Sequence, residues 1–190
     1  MSGDSSAGRL FLVVGPSGAG KDSLINAAKT RLTGRRGFVF PRRIITRPSD
    51  PESEVHDSVG EAEFERLCAT GAFFLHWGAH SLRYALPASI ADDLAGGATV
   101  IANVSRAVIP QAHAKHPATT VVFVTAPQEV LEERLLARGR EDRDTVRRRL
   151  ARSAELPAGP PVVTVMNDGS LEAATLRFLA VLTPPASPGP

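Results

Sequence analysis

The sequence predicts an α/β protein of three layers, in which helices cover both faces of a central, mostly parallel sheet of five strands. Short apolar runs rich in β-branched residues alternate with segments whose apolar residues recur at helical spacing. A glycine-rich loop separates the first of these runs from the first helical segment. Strands that alternate with helices form a parallel sheet that is buried on both faces.

Length and composition favour one soluble domain. The chain has 190 residues, of which 43% are hydrophobic and 22% are charged, which is enough for a sizeable core. No apolar run approaches the roughly 18 residues of a membrane span, and residues 1–8 are too polar for a secretion signal. A single cysteine, Cys68, excludes an intrachain disulfide framework. We expect a cytoplasmic protein without a membrane partner, and the sequence predicts no oligomeric state.

The basic charge is concentrated in one segment. The net charge is only +2, yet residues 134–152 contain eight arginines and three acidic residues, so the remainder of the chain is net negative. A nucleic-acid partner would favour basic residues spread over one face. The pattern instead predicts an arginine-rich lid that closes over small phosphate groups and no nucleic-acid partner. Within it, Arg143, Arg147 and Arg152 are expected on a solvated helix face, in i,i+4 ion pairs.

The amino-terminal elements are predicted from residue type and spacing. Leu10–Val14 is apolar and rich in β-branched residues, which is typical of a buried strand. Residues 15–20 form the glycine-rich loop, and a helix follows because apolar residues recur at helical spacing at Leu24, Ile25, Ala28 and Leu32.

Residues 37–87 have a less regular pattern and predict a small lobe inserted between the first two strands of the core. Ser58 and Glu61 have the spacing of a capping box and predict the start of a helix. Phe73–Trp77 and Leu82–Leu86 predict two short strands. The segment is too short for a separate domain.

Alternation resumes at Pro87, which is predicted in the first turn of a helix that ends at Leu94. The later predictions are a strand at Ala98–Val104, a helix at Ser105–Lys115 interrupted by Pro110, a strand at Thr119–Thr125, helices at Gln128–Arg138 and Asp144–Ala154, a strand at Val162–Met166 and a helix at Ser170–Leu182. We therefore expect one domain over residues 9–182. Residues 1–8 and the proline-rich residues 183–190 are expected to be disordered tails.

Residues 15–21 match the pattern G-x-x-x-x-G-K of the loop that binds nucleotide phosphates. Glycine lets the backbone N–H groups approach the phosphates, the helix N-terminus attracts anions, and Lys21 adds a positive charge. A strand before the loop and a helix after it are the context that this motif requires. The predicted ATP-binding residues are Gly15, Pro16, Ser17, Gly18, Ala19, Gly20, Lys21, Asp22 and Ser23.

One position departs from the pattern, because Asp22 stands where a Ser or Thr hydroxyl normally ligates Mg²⁺. A carboxylate beside a triphosphate requires a Mg²⁺ ion close by. In many enzymes with this loop, a neighbouring strand ends in an Asp that supports the metal, whereas here the strand ends in Asn103. Our hypothesis is that Asp22 supplies Mg²⁺ with the carboxylate that the strand end lacks. The alternative is that Asp22 only caps the helix.

From about Leu10 to Leu182 the chain resembles the guanylate kinase superfamily. The motifs are the phosphate loop, Thr46-Arg47-Pro48, Trp77, Tyr84, Arg134-Leu135 through Arg149-Leu150, and Asn167-Asp168. Other segments most resemble the ribose 1,5-bisphosphate phosphokinases of phosphonate catabolism: Gly20 to Leu24, Ile45 to Arg47, Asn103 to Arg106, Arg138 to Glu141 and Asn167 to Ser170. The resemblance implies a P-loop kinase fold, with an acceptor-binding lobe at about 37–87 and a lid at about 134–152. It also implies an enzyme that makes 5-phosphoribosyl 1-diphosphate from ribose 1,5-bisphosphate and ATP.

The resemblance also implies roles for single residues. Lys21, Arg138 and Arg149 are the implied catalytic residues, and the implied binding residues for a phosphorylated sugar are Arg43, Arg47, Tyr84, His76 and Asn103. Guanylate kinases typically have hydrogen-bonding side chains for guanine at the positions of His76, Leu86 and Asn103, so the departures argue against guanine. The alternatives are a nucleoside monophosphate kinase and a non-catalytic guanylate kinase-like binding module. The retained Lys21 and lid arginines weigh against the module.

Overall fold

The computed structural model describes residues 7–48, 56–79, 81–137, 139, 142–151 and 156–183, without the side chains of Arg149 and Ala151. The predictions for Arg138, Arg152 and most of both tails therefore lie outside the described residues. In chain order the elements are β1 (Arg9–Val14), α1 (Lys21–Arg31), β2 (Phe38–Val39), β3 (Ile44–Ile45), β4 (Asp57–Ser58), α2 (Glu61–Ala69), β5 (Phe73–Ala79), β6 (Leu82–Pro87), α3 (Ile90–Ala95), β7 (Thr99–Asn103), a 3₁₀ turn (Arg106–Val108), α4 (Ile109–Lys115), β8 (Thr119–Thr125), α5 (Gln128–Leu136), α6 (Arg143–Ala151), β9 (Val162–Met166) and α7 (Leu171–Leu182).

The central sheet has five parallel strands in the order β2-β7-β1-β8-β9. Strand β1 lies in the middle, where Leu12 is opposite Ala102 on β7 and Val121 on β8. Because all five strands run in the same direction, their carboxyl ends meet at one edge of the sheet. The predicted fold class is confirmed.

Both faces of the sheet are covered, as its apolar strands require. Phe11 and Val13 of β1 face the core shared with α1, α5, α6 and α7. Leu10, Leu12 and Val14, which alternate with them, face the core shared with α3 and α4. This alternation makes the three layers. No helix within the described ranges is long and apolar enough to cross a membrane.

The inserted lobe is built on a second sheet of four short strands, in the order β4-β3-β6-β5. Helix α2 packs on one face, where Phe64 contacts the cluster of Phe73 and Ala85. The other face carries Trp77 and Leu86 into the core that covers the central sheet. The lobe is therefore joined to the main domain by a continuous apolar contact.

Three local predictions were wrong. Ser58 does not cap α2, because it pairs with Ile45 in β4 and Gly60 is the N-cap residue. Pro87 ends strand β6 opposite Phe73, so α3 begins only at Ile90. Pro110 lies in the first turn of α4 and does not interrupt a helix, because its missing N–H is tolerated there.

The buried face of α7 provides a test of the packing. Phe178 is fully buried in the core beneath the central sheet, whereas Leu176 on the same helix is 54% exposed. We expect Phe178→Ala to lower the free energy of unfolding by about 3–5 kcal/mol, because it leaves a cavity. Leu176→Ala should change it by less than about 0.5 kcal/mol. Urea denaturation measures both, and equal losses would contradict this arrangement.

Candidate active site

The phosphate loop lies between β1 and α1, at the carboxyl edge of the central sheet. A Cβ atom on Gly15 would lie 2.0 Å from the carbonyl oxygen of Val124, and Gly15 has a φ of 150°. A Cβ atom on Gly20, which has a φ of 82°, would lie 2.4 Å from Nδ2 of Asn167. Larger residues at either position would displace the loop from the strands behind it.

Lys21 is the first residue of α1, and its side chain folds back across the loop. Its Nζ donates to the carbonyl oxygens of Gly15 and Pro16, at 2.9 and 3.0 Å. Gly20 has no side chain to occupy the N–H groups at the start of α1. The arrangement combines a helix N-terminus with a half-buried ammonium group, which is an anion-binding geometry.

Asn167 holds the loop in place from behind. It follows β9, is 5% exposed, and its Nδ2 donates to the carbonyl oxygen of Ala19 at 2.8 Å. Its backbone N–H donates to the carbonyl oxygen of Thr125, at 2.7 Å. The loop is thereby tied to the ends of β8 and β9. In the sequence Asn167 stands out only as part of a motif, and the contact shows that it supports the loop.

Asp22 and Asn103 lie together, although 81 positions separate them in the chain. Nδ2 of Asn103, at the end of β7, donates to Oδ1 of Asp22 at 2.6 Å. Asn103 is 9% exposed, whereas Asp22 is exposed in the first turn of α1. The amide of Asn103 therefore contacts the phosphate-loop side of the site, and its predicted contact with the acceptor stays a prediction.

The inserted lobe brings an arginine and two aromatic rings together. The rings of Trp77 and Tyr84 are stacked, with centroids 5.6 Å apart and an interplanar angle of 7°. The guanidinium of Arg43 lies 5.5 Å from the centroid of Tyr84. Both rings belong to the face of the lobe that joins the main domain. Arg43 and Tyr84, predicted separately, thus form one cluster.

Arg47 follows β3 on the same lobe and is half-buried. Its carbonyl oxygen lies 3.4 Å from Nε2 of His56, which is buried. The backbone N–H of the preceding residue, Thr46, donates to the carbonyl oxygen of Arg83, at 3.0 Å. These contacts fix the backbone from which the Arg47 side chain extends.

His76 lies on the opposite face of the lobe from Tyr84. Neighbouring residues of a strand point to opposite faces, and His76 precedes the buried Trp77. Nε2 of His76 lies 3.6 Å from Sγ of Cys68 on α2. On this face too, the guanidinium of Arg83 pairs with Glu65 and lies 4.4 Å from the Phe64 ring centroid. The structure therefore separates His76 from the Arg43 and Tyr84 cluster.

Helices α5 and α6 lie in the segment predicted as the lid and pack together through buried leucines and Val146. Arg143 and Arg147 are both more than half exposed and pair with Glu132 of α5, at 3.5 and 3.2 Å. The exposed face expected for these two arginines is confirmed. The expected i,i+4 pairing is wrong, because their partner Glu132 lies on the neighbouring helix α5. Asp142 accepts hydrogen bonds from the backbone N–H and hydroxyl of Thr145, which lowers the pKa of its carboxyl group.

Arg134 is a candidate anion contact, although in the sequence it is only one of eight arginines in the predicted lid. It precedes Leu135, whose Cγ would lie 3.2 Å from a Cβ atom on Gly18 of the loop. Nη1 of Arg134 is buried, and within the described part of the chain it has no hydrogen-bond partner. A buried, unpaired donor on the helix that contacts the loop is a signal that only the structure provides. Arg149 lies on α6, and its catalytic role stays a prediction, as does that of Arg138.

The guanylate kinase family model matches residues 7–175. The chain belongs to the guanylate kinase family. It is 48% identical over 180 residues to the ribose 1,5-bisphosphate phosphokinase PhnN of Brucella melitensis, covering 94% of each chain. It is 50% identical over 176 residues to a bifunctional ribose 1,5-bisphosphokinase-thymidine phosphorylase of Cupriavidus necator, covering 92% of this chain and 29% of that one.

Among solved structures, the fold is similar to the guanylate kinase of Anaplasma phagocytophilum. The TM-score is 0.66 at 17% sequence identity, with 93% of this chain and 85% of that chain covered. A gluconokinase of Sinorhizobium meliloti matches with a TM-score of 0.52 at 19% identity, covering 93% of each chain. At this level of identity the likeness concerns the fold alone. The family match and the PhnN relative confirm the prediction of a phosphotransferase of the guanylate kinase family.

Asn167 provides a test of how the loop is supported. Asn167→Ala leaves the buried carbonyl oxygen of Ala19 without its donor, which we expect to cost about 1–3 kcal/mol of stability. The same change should raise the KM for ATP more than it lowers kcat, because the loop loses its shape before phosphate binds. The control is Asp168→Ala at the exposed next position, which should leave both values nearly unchanged. An unchanged KM for ATP in Asn167→Ala would contradict this role.

Proposed function

We propose that this chain transfers the γ-phosphoryl group of ATP to ribose 1,5-bisphosphate, which yields 5-phosphoribosyl 1-diphosphate and ADP, in phosphonate breakdown. The observation that carries the proposal is the identity of 48% along 94% of both chains with a ribose 1,5-bisphosphate phosphokinase. The solved guanylate kinase shares only 17% of its sequence with this chain.

The environment of three side chains supports a sugar acceptor over guanine. At the positions where guanylate kinases typically bind guanine, Leu86 is fully buried in the core and His76 faces α2. The third position is Asn103, whose amide donates to Asp22. A guanine edge with unmatched polar groups would bind poorly, because each unpaired group costs about 1–3 kcal/mol.

The proposed acceptor contacts are Arg43, Arg47 and Tyr84. Forked guanidinium groups bind phosphate oxygens with two parallel hydrogen bonds, and a bisphosphorylated sugar offers two such groups. Stacking on Trp77 fixes the ring of Tyr84, so its hydroxyl is presented in one orientation. The proposal therefore places the acceptor on the lobe face that joins the main domain.

The proposed ATP contacts are the loop residues 15–23. The loop N–H groups surround the phosphates, and Lys21 exchanges its bonds to Gly15 and Pro16 for phosphate oxygens. Arg138 and Arg149 are the proposed lid residues that neutralise the charge on the transferred group, and Arg134 adds a buried donor.

The residues at the loop fit a Mg²⁺ ion. Mg²⁺ in nucleotide enzymes is usually held by one or two carboxylates together with phosphates and water. Asp22 offers an exposed carboxylate beside Lys21, and the described residues contain no cluster of three or more His, Cys, Asp or Glu that would hold a metal by itself. Asp22 would hold the ion, which neutralises charge on the phosphates.

The reaction needs alignment more than a base. An oxygen of the acceptor's 1-phosphate forms a bond to the γ-phosphorus, and the bond from that phosphorus to the β,γ-bridging oxygen breaks, so ADP leaves with the electron pair. The attacking phosphate is already ionised at neutral pH, so no proton must be removed. The protein's contribution is to position the groups and neutralise charge.

The activity is tested by measuring ADP release from Mg·ATP with ribose 1,5-bisphosphate, GMP or AMP as acceptor. We expect turnover with the sugar bisphosphate, and ³¹P NMR should show a new diphosphate on the product. Turnover with GMP but not with the sugar would identify a nucleoside monophosphate kinase instead. No turnover with any acceptor would favour a binding module.

Two substitutions in the lobe test the acceptor site. Arg47→Ala should raise the KM for ribose 1,5-bisphosphate by about tenfold or more, because a charged hydrogen bond is lost. The KM for ATP should stay within about twofold. His76→Ala is the matched control, and its acceptor KM should also stay within about twofold because His76 faces α2. Larger effects at His76 than at Arg47 would place the acceptor on the other face.

A further inference from the structure

The contact between Asp22 and Asn103 joins two departures from the usual phosphate-loop pattern. At position 22 the loop has the carboxylate of an Asp, whereas the usual pattern has a hydroxyl. At position 103 the strand ends in the amide of an Asn, whereas many enzymes with this loop have a carboxylate there. The structure places the two side chains 2.6 Å apart, with the amide donating to the carboxylate. The usual arrangement and the one in this chain both provide one carboxylate and one neutral side chain where the loop meets the strand end.

The contact limits what Asp22 can do. Asn103 is buried at the end of β7, next to Val13 of β1, so its amide has a fixed place. Oδ1 of Asp22 accepts from that amide, while Oδ2 has no protein partner among the residues that the structure describes. One oxygen is thus anchored to the sheet, and the residue as a whole is exposed at the start of α1. An anchored carboxylate loses less freedom when it meets a cation or its bound water.

We propose that Asn103 is a positioning residue, which anchors Asp22 so that its carboxylate replaces the one usually found at the strand end. The inference rests on the proposed use of Mg·ATP and assigns Asn103 to the nucleotide half of the site. Its role does not depend on which acceptor the enzyme takes. The hydrogen bond joins the loop to the strand end. Changing either Asp22 or Asn103 should therefore impair the function of both.

The carboxylate should therefore tolerate being moved from position 22 to position 103 only when both residues are changed together. Asp22→Ser removes the carboxylate, and Asn103→Asp places a second carboxylate against the first, which the two negative charges oppose. The double variant Asp22→Ser with Asn103→Asp restores one hydroxyl and one carboxylate. We expect it to recover function that both single variants lose.

The experiment measures ATP binding by calorimetry, with and without Mg²⁺ and without any acceptor. In the wild type, Mg²⁺ should strengthen ATP binding. Each single variant should lose about 10–100-fold of that gain, which is the usual effect of losing a group that orients a metal ligand. The double variant should regain most of it, and kcat should follow the same order.

Controls separate this role from folding and from charge. Asn103→Leu removes the donor without adding charge, and thermal unfolding of the free protein identifies any variant that fails to fold. Asn26→Asp adds a carboxylate at an exposed position one turn further along α1 and should not change the effect of Mg²⁺. An unchanged Mg²⁺ effect in Asn103→Leu, or a double variant no better than the single ones, would overturn the proposal. Loss of sugar turnover with normal Mg·ATP binding would instead count against the proposed acceptor.

Discussion

The close approach of the loop backbone to an anion is the constraint on which the rest of the structure depends. Main-chain N–H groups can surround a phosphate only if side chains in the loop from Gly15 to Gly20 do not block the approach and the loop keeps one conformation. The carbonyl oxygen of Val124 lies directly behind Gly15, and the amide of Asn167 lies behind Gly20. Both supporting groups lie at the carboxyl ends of parallel strands. The conformation of the loop therefore depends on the parallel arrangement of the sheet.

The second constraint is electrostatic, because ion pairs within the protein already neutralise several of its arginines. Arg83, Arg143 and Arg147 are each paired with a glutamate, so they keep elements together and leave less charge for a ligand. The arginine content of the chain therefore overstates the charge available to phosphates. What matters is the environment of single side chains, such as the buried Nη1 of Arg134 or the guanidinium of Arg43 over an aromatic ring.

Much of the fold could be predicted because local patterns and long-range packing agree there. The buried strand Leu10–Val14, the loop and α1 follow from apolar spacing and glycine placement alone, and the later alternation predicts the parallel sheet. Predictions failed where pairing overrode a local preference. Ser58 and Pro87 each have a residue type that favours a helix start, yet hydrogen-bonded partners in the lobe keep both in strands.

The sequence by itself determined the chemistry of the nucleotide half, since a contiguous motif contains the loop, Lys21 and the unusual Asp22. Only the tertiary structure decided which distant residues share that site. It placed Asn103 against Asp22, Asn167 behind the loop, and His76 on the far face of the lobe from Tyr84. The physical reason is that packing of the whole sheet sets the order of the strands, their register and the face on which each side chain lies. The local sequence around a residue does not show which residues of other strands it will contact.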